Sequence, residues 1–417
     1  MKSMEPVALE FWAYCGAIEG FYGRPWSERQ RKTLIDQLGQ SGLNTYLIAP
    51  KFDPFHRWNW RSRLPADQKR RIRALCSHGR NAGVRIILAV SPGLSIQPDT
   101  IHDLVRRVDE LAGMEPGGFA LLMDDIPYER ADAGFHCDAA ASVSNRPGIA
   151  GKPLLFCPTA YSQWHLHTWP GAETYLNAIG QNLATTWDVF WTGPTIISRQ
   201  ISPADLQPIR DMLQRNPVIW DNISADDYAP AQTAFPGPLT GRPASMIPYT
   251  RGLLLNPSEN FSVARSAIES LAHWNRSPAD YLPPDGFESA LSLLAPDPSA
   301  RTILRLVFGY FYTPFEVSAE WNDHLEDLRR CLISTPDPAV LAMLERMSTQ
   351  IRDDANLDRF GEVWIDIYPL VRTLLGDLDY MITTLRKRLT MPPPYPPLPR
   401  RDPRWSTPIT DLIVDMM

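Results

Sequence analysis

Two adjacent aspartates, Asp124 and Asp125, follow directly on the apolar run FALLM at 119–123. Carboxylates set at the end of a buried run are costly unless they are paired or neutralised. Two so close also push their proton affinities apart, leaving one ionised group and one proton donor near neutral pH. That division of labour is what glycoside hydrolysis requires. The plain alternative is a solvated loop start that caps the next helix, so the pair alone does not decide. Other residues join it at corresponding places. Gly20, Lys51, Tyr161, Trp220, Asn222, Asp227 and Asn256 each come just after, or at the end of, a short apolar run. Singly, each has an ordinary reading: a surface lysine, a core tryptophan, loop hydrogen-bonders, a helix cap. Together, aromatic faces beside carboxylates and amides suit a sugar ring, which is apolar on its faces and polar around its rim. His165 and His167 lie in the loop after the fifth run without evident further ligands, so no metal and no cofactor are expected.

Positioning these groups falls to eight strand-like runs at 12–18, 45–49, 85–90, 119–123, 154–157, 189–191, 218–220 and 252–255. Amphipathic stretches separate most of them. Ser27 and Gln30 form a capping-box signature, and Ser202-Pro203 reads as an N-cap followed by a first-turn proline. Strand and helix alternating eight times predict a parallel (β/α)8 barrel of TIM type, an α/β fold whose chemistry sits at the C-terminal ends of the strands. A doubly wound open sheet is the rival, weakened because GAIEGFYG lacks the GxGxxG spacing of a dinucleotide site. The segment 128–153 contains Pro147 and several glycines and predicts a short or irregular fourth helix.

From about Pro278 only helical periodicity remains, after the linker SPADYLPPDG. The domains expected are a catalytic barrel over 1–277, a C-terminal all-helical bundle over 278–390 and a proline-rich tail over 391–417. MPPPYPPLPRRDP, within that tail, is read as extended or disordered. The segment 362–389 is rich in apolar residues, among them Trp364, Ile367, Leu370, Leu374 and Leu375, which predicts self-association as a homodimer through the helical region.

The 417 residues are 44% hydrophobic and 21% charged, with a formal net charge of −6. This argues against a nucleic-acid partner, which usually meets a basic face. No window approaches the roughly 18 apolar residues of a membrane span, and the first twenty residues lack a signal-peptide pattern. Five scattered cysteines without CxxC spacing suit a reducing compartment. A soluble, cytoplasmic protein is expected, with no membrane partner.

The strand-end stretches GAIEGFYGRPWS, GLNTYLIAPKFDPFHRWNWR, ILAVSPGLSI, FALLMDDI, LLFCPTAY, VFWTGP, PVIWDNISADDY and LLLNP resemble glycoside hydrolase family 84, the protein O-GlcNAcases and related β-N-acetylglucosaminidases. They occur in the family's order over about residues 14–275. The resemblance implies Asp125 as general acid/base and Asp124 as the carboxylate that orients the substrate's acetamido N–H. It implies that the nucleophile is the substrate's own acetamido oxygen, giving an oxazoline intermediate and retention. Tyr161 would donate near the acetamido oxygen, Trp220 would wall the N-acetyl pocket and Asn222 would stand beside the pair. Gly20, Lys51, Asp227 and Asn256 would hold the sugar hydroxyls. The substrate implied is an O-GlcNAc-modified protein or another GlcNAc glycoside, with hydrolysis of free glycans and a silent GlcNAc-binding module as alternatives. Both carboxylates can serve one sugar only if the chain turns where FALLM meets DDI, because neighbours on a strand face opposite ways.

Overall fold

All eight apolar runs form strands. The structure, a computed structural model, describes residues 12–229, 233–391 and 407–415. The strands are β1 (Tyr14–Glu19), β2 (Thr45–Ile48), β3 (Arg85–Val90), β4 (Gly118–Leu122), β5 (Leu154–Cys157), β6 (Trp187–Trp191), β7 (Val218–Asp221) and β8 (Gly252–Leu255). They are parallel, pair in chain order, and close as a barrel through β1 and β8. Alternate residues point inward, so Ile18, Leu47, Ile87, Leu122, Leu155, Phe190 and Leu254 share one interior cluster. This is a (β/α)8 barrel.

The helices around it are α1 (Glu28–Gln40), α2 (Ala66–Asn81), α3 (Ile101–Ala112), α4 (Ala133–Ser144), α5 (Gln163–Thr168), α6 (Ala172–Asn182), α7 (Pro203–Leu213) and α8 (Phe261–Arg276). The α1 capping box is formed: Ser27 and Gln30 satisfy each other's backbone donors. One expectation fails here. The fourth helix is a regular 12-residue helix, because Asp132 caps it by accepting from the Phe135 amide at 3.0 Å, and Pro147 falls beyond its end. Burial of Val143, Ala139 and Ala140 supplies the apolar face.

Beyond the barrel come α9 (Pro283–Leu294), α10 (Pro298–Tyr310), α11 (Ala319–Ile333), α12 (Pro338–Asp354), α13 (Leu357–Phe360), α14 (Val363–Thr390) and α15 (Pro408–Asp415). The chain divides into two compact units. One comprises Met1–Asp227, Leu239–Glu259 and Leu271–Leu282; the other comprises Tyr228–Pro238, Asn260–Ser270 and Pro283–Met417. The cut expected at 277/278 falls inside the last segment of the first unit. The second unit has its own core, in which Leu304, Phe308, Trp321, Leu344, Leu374 and Leu378 are fully buried. Tyr310 anchors it by donating to Asp377 Oδ2 at 2.6 Å. The proline-rich stretch at 392–403 lies outside the described residues, whereas α15 shows that part of the 391–417 segment is helical. Among the described residues, no helix is long and apolar enough to cross a membrane.

Candidate active site

Beyond β4 the backbone turns sharply: Asp125 has φ 54°, in the left-handed region that non-glycine residues rarely adopt. Holding a residue there stores about 1–3 kcal/mol of strain, which the surroundings must offset. They do so by fixing the preceding step, since Met123 donates its amide to the Cys157 carbonyl at 2.9 Å and its carbonyl accepts from the Thr159 hydroxyl at 2.7 Å. The turn brings both carboxylates to the same cation.

Lys51 follows β2 by three residues and is fully buried. Its Nζ donates to Asp124 Oδ2 and lies 3.7 Å from Asp125 Oδ2. The ammonium also sits 5.8 Å from the centre of the Trp220 ring and 5.9 Å from that of Tyr22. Asp124 is buried, and its other oxygen, Oδ1, has no partner among the described residues. Asp125 receives the Tyr161 hydroxyl on Oδ1 at 2.9 Å and the Tyr22 hydroxyl on Oδ2 at 2.5 Å. Tyr22 in turn accepts from Arg57 Nη1, whose Nη2 reaches the Asp125 carbonyl at 3.4 Å.

The opposite side comes from β1, β7 and β8. Gly20 donates its amide to Asn256 Oδ1 at 3.1 Å, Asn256 Nδ2 donates to Asn222 Oδ1 at 2.9 Å, and Trp220 Nε1 donates to the same oxygen at 3.0 Å. A side chain at position 20 would meet Trp220, since a Cβ there would lie 2.5 Å from Cζ2. Asp227 accepts from the Tyr22 amide at 2.9 Å. Behind β7, Arg242 grips Asp221 with Nε at 2.7 Å and Nη2 at 2.6 Å, a buried bidentate pair that fixes the strand end carrying Trp220 and Asn222.

Burial drives the Asp124 carboxyl above its ordinary range, and the neighbouring Asp125 adds to the shift while Lys51 opposes it. Asp125 goes the other way. Burial acts upward on it too, but Lys51, the hydroxyls of Tyr22 and Tyr161, and Arg57 outweigh it and favour the carboxylate. The two carboxyls are thus pushed apart, Asp124 toward holding a proton and Asp125 toward the carboxylate. Lys51 stays charged, because the two carboxylates overcome the cost of burying it.

All nine residues singled out in the sequence meet around this site, Asp227 by way of Tyr22. Two that sequence reasoning passed over, Tyr22 and Arg57, hold Asp125 directly. Tyr22 stood in the strand-end motif GFYG, but nothing marked its hydroxyl as a partner for a carboxylate. His165 is a packed side chain instead, with its ring 4.2 Å from Trp169, 4.4 Å from Tyr161, and Nδ1 2.7 Å from the Ser162 hydroxyl. Among the described residues, no group of three or more His, Cys, Asp or Glu side chains is placed to hold a metal ion.

The model of the β-N-acetylglucosaminidase family matches residues 15–307 of this chain. The protein O-GlcNAcases of Rattus norvegicus and Mus musculus are each 38% identical to it over 274 residues, covering 63% of this chain and 30% of theirs. The chain therefore matches under a third of the length of these relatives. In structure it resembles a mutant of the Thermobaculum terrenum O-GlcNAc hydrolase, with a TM-score of 0.79 at 23% identity, covering 90% of this chain and 84% of that one.

Proposed function

The chain belongs to the β-N-acetylglucosaminidase family, and from that membership we propose that it is a retaining exo-β-N-acetylglucosaminidase that removes O-linked GlcNAc from serine and threonine of proteins. The observation that carries the reading is the Oδ1 of buried Asp124, without a partner among the described residues, beside an Oδ2 already held by Lys51. A buried acceptor without a donor is unfavourable, and the acetamido N–H of a bound GlcNAc is the donor it suits. The substrate relatives named O-GlcNAcase and O-GlcNAc hydrolase lend the aglycone assignment its support.

The chemistry follows from that bond. With its N–H held by Asp124, the acetamido group turns its carbonyl oxygen onto the anomeric carbon. As the C1–oxygen bond to the aglycone breaks, Asp125 gives its proton to the departing oxygen. The oxazoline so formed is opened by water, whose proton returns to Asp125, and two inversions give net retention. In this reading Tyr161 steadies the acetamido oxygen, and Trp220 walls the acetyl methyl. Asn222 lies beside the pair, while Gly20, Lys51, Asp227 and Asn256 take the hydroxyl rim. In the substrate-free site the proton preferences run opposite to these roles. Binding reverses them: an N–H on Asp124 favours its charged form, and a sugar that displaces Tyr22 and Tyr161 from Asp125 removes the donors that favour its carboxylate. Cytoplasmic location is proposed on the five buried, unpaired cysteines, and self-association on apolar surface of the helical unit.

Turnover of a GlcNAc-modified protein, compared with chitobiose and hyaluronan fragments, tests the substrate. A preference for either glycan would replace the protein aglycone with a free one. For the mechanism, turnover is expected to fall steeply from acetyl through mono-, di- and trifluoroacetyl substrates, since fluorine weakens the carbonyl oxygen as a nucleophile. A flat series, or a sugar ester trapped on Asp124, overturns the substrate-assisted route.

A further inference from the structure

Residues 57–80, RWNWRSRLPADQKRRIRALCSHGR, hold eight arginines and lysines against one aspartate, in a chain whose formal net charge is −6. The run covers the end of the loop joining β2 to α2 and most of α2 itself. Charge of one sign gathered in this way makes a local field that the net charge of the molecule hides.

Part of that charge is answered within the fold. Glu110 takes Lys69 at 2.6 Å, and Asp103 takes Arg106 at 2.8 Å and lies 4.0 Å from Arg61. Glu115 takes Arg80 at 3.1 Å, and Asp67 lies 3.6 Å from Arg71. Arg63, Arg70 and Arg73 are left over. All three are exposed, and none has a carboxylate partner among the described residues; Arg73 donates to the Gly113 carbonyl at 3.0 Å. Arg70 and Arg73 lie three residues apart, on the side of α2 opposite buried Leu75, Cys76 and Gly79. Like charges at that spacing work against a helix, so this face weakens the element that carries it until an anionic partner answers it.

We propose, resting on the reading of the aglycone as protein, that this face is an exosite for an acidic segment of the polypeptide that bears the sugar. Its position supports that occupant. Helices of a barrel run back from the C-terminal ends of the strands, so α2 begins at the catalytic end, with Arg63 just before it. The connection that carries Arg63 also carries Lys51, which donates to Asp124, and Arg57, 3.9 Å from Asp125. A polypeptide leaving the sugar site past Arg57 is thus led along Arg63 to Arg70 and Arg73. Guanidinium groups take carboxylates bidentately, which suits them to aspartate and glutamate. On an exposed surface the attraction speeds encounter and orients the substrate, and it fades as salt screens it.

The test uses the full chain and three substrates: an aryl GlcNAc glycoside, a GlcNAc-serine peptide of neutral sequence, and that peptide flanked by runs of glutamate. At about 0.05 M salt, kcat/KM for the acidic peptide is expected to exceed that for the neutral one by on the order of tenfold, and to match it near about 0.5 M. Arg63→Gln, Arg70→Gln and Arg73→Gln together are expected to abolish the preference. Reversal of the same three positions to glutamate is expected to transfer it to a peptide flanked by lysines, with the melting temperature reporting that each variant is folded. The exosite is overturned if the wild type turns over both peptides alike at low salt, or if the preference survives the triple glutamine substitution. Arginine-dependent binding to phosphatidylserine vesicles without any peptide preference would give the face to a lipid surface instead. Turnover of the aryl glycoside with neither peptide hydrolysed would overturn the protein aglycone itself, and the exosite with it.

Discussion

Asp125 holds two hydroxyl donors and a nearby guanidinium, while Asp124, one residue earlier, holds a single ammonium and an oxygen without a partner among the described residues. This asymmetry separates the two roles, and it can be probed by substitution. Asp125→Asn is expected to abolish most turnover of poor leaving groups while sparing activated aryl glycosides, because a good leaving group needs little protonation. Equal losses across a leaving-group series would remove Asp125 from the acid role. A second expectation concerns pH. The active pair carries one proton, so kcat/KM falls in acid where both carboxyls are protonated and in base where both are ionised. Asp125 sits below its ordinary range in the free chain, and the Tyr22 hydroxyl helps to hold it there. Tyr22→Phe removes that donor and raises the affinity of Asp125 for its proton. The acidic limb of kcat/KM is then expected to move to higher pH by about one unit, the equivalent of one hydrogen bond to a charged group. An unmoved limb, or one moved to lower pH, refutes the coupling. The residue types at the strand ends announced the candidate site because carboxylate, lysine and amide side chains are conspicuous after apolar runs. Tyr22 and Arg57 were not legible, since their part depends on how two loops fold across Asp125. The direction of each carboxyl's shift was equally hidden, being set by burial and partners instead of by sequence order.

Strands could be read because each is a short apolar run that a parallel barrel buries on both faces, and the register then follows from closure. The α4 segment misleads because Pro147, Gly148 and Gly151 fall after the helix and Gly134 in its first turn, which, with Asp132 capping its start, leaves the helix intact. Closeness between elements was also beyond a linear reading. Gly20, at the end of β1, is approached by Trp220 from β7 so tightly that a methyl group would sit 2.5 Å from the indole, whose Nε1 is held by Asn222. Gly20→Ala must therefore displace that ring. Overpacking of this kind is worth about 1–3 kcal/mol. Here the penalty is expected mainly as a KM for GlcNAc substrates raised roughly tenfold or more, because the ring walls the proposed acetyl pocket. A KM equal to that of the wild type would show that Trp220 does not shape substrate binding.

The expected division of the molecule rested on a change from alternating elements to helices, and that change is real. What the linear reading could not see is that Tyr228–Pro238 and Asn260–Ser270 join the helical unit, because membership is settled by packing in space. The same is true of the apolar face assigned to self-association. Ile367, Leu370 and Leu374 fill the core of the helical unit, and Trp364 and Leu375 pack half-buried against it. They are not available to a second copy. What α14 leaves outside is Ile365, 71% exposed, and Tyr368, 49% exposed, three residues apart on one helical face. Large apolar groups grouped on one face mark an interaction surface better than scattered ones, so the self-association proposed above moves to this smaller face. Light scattering of the full chain at micromolar concentration is expected to give twice the single-chain mass. The double substitution Ile365→Lys and Tyr368→Lys should return it to one chain with little change in melting temperature, since Ile365 is exposed and the half-exposed Tyr368 packs on Trp364 at the edge of the core. A single-chain mass for the wild type overturns the proposal; a dimer that survives the double substitution places the interface elsewhere than on α14.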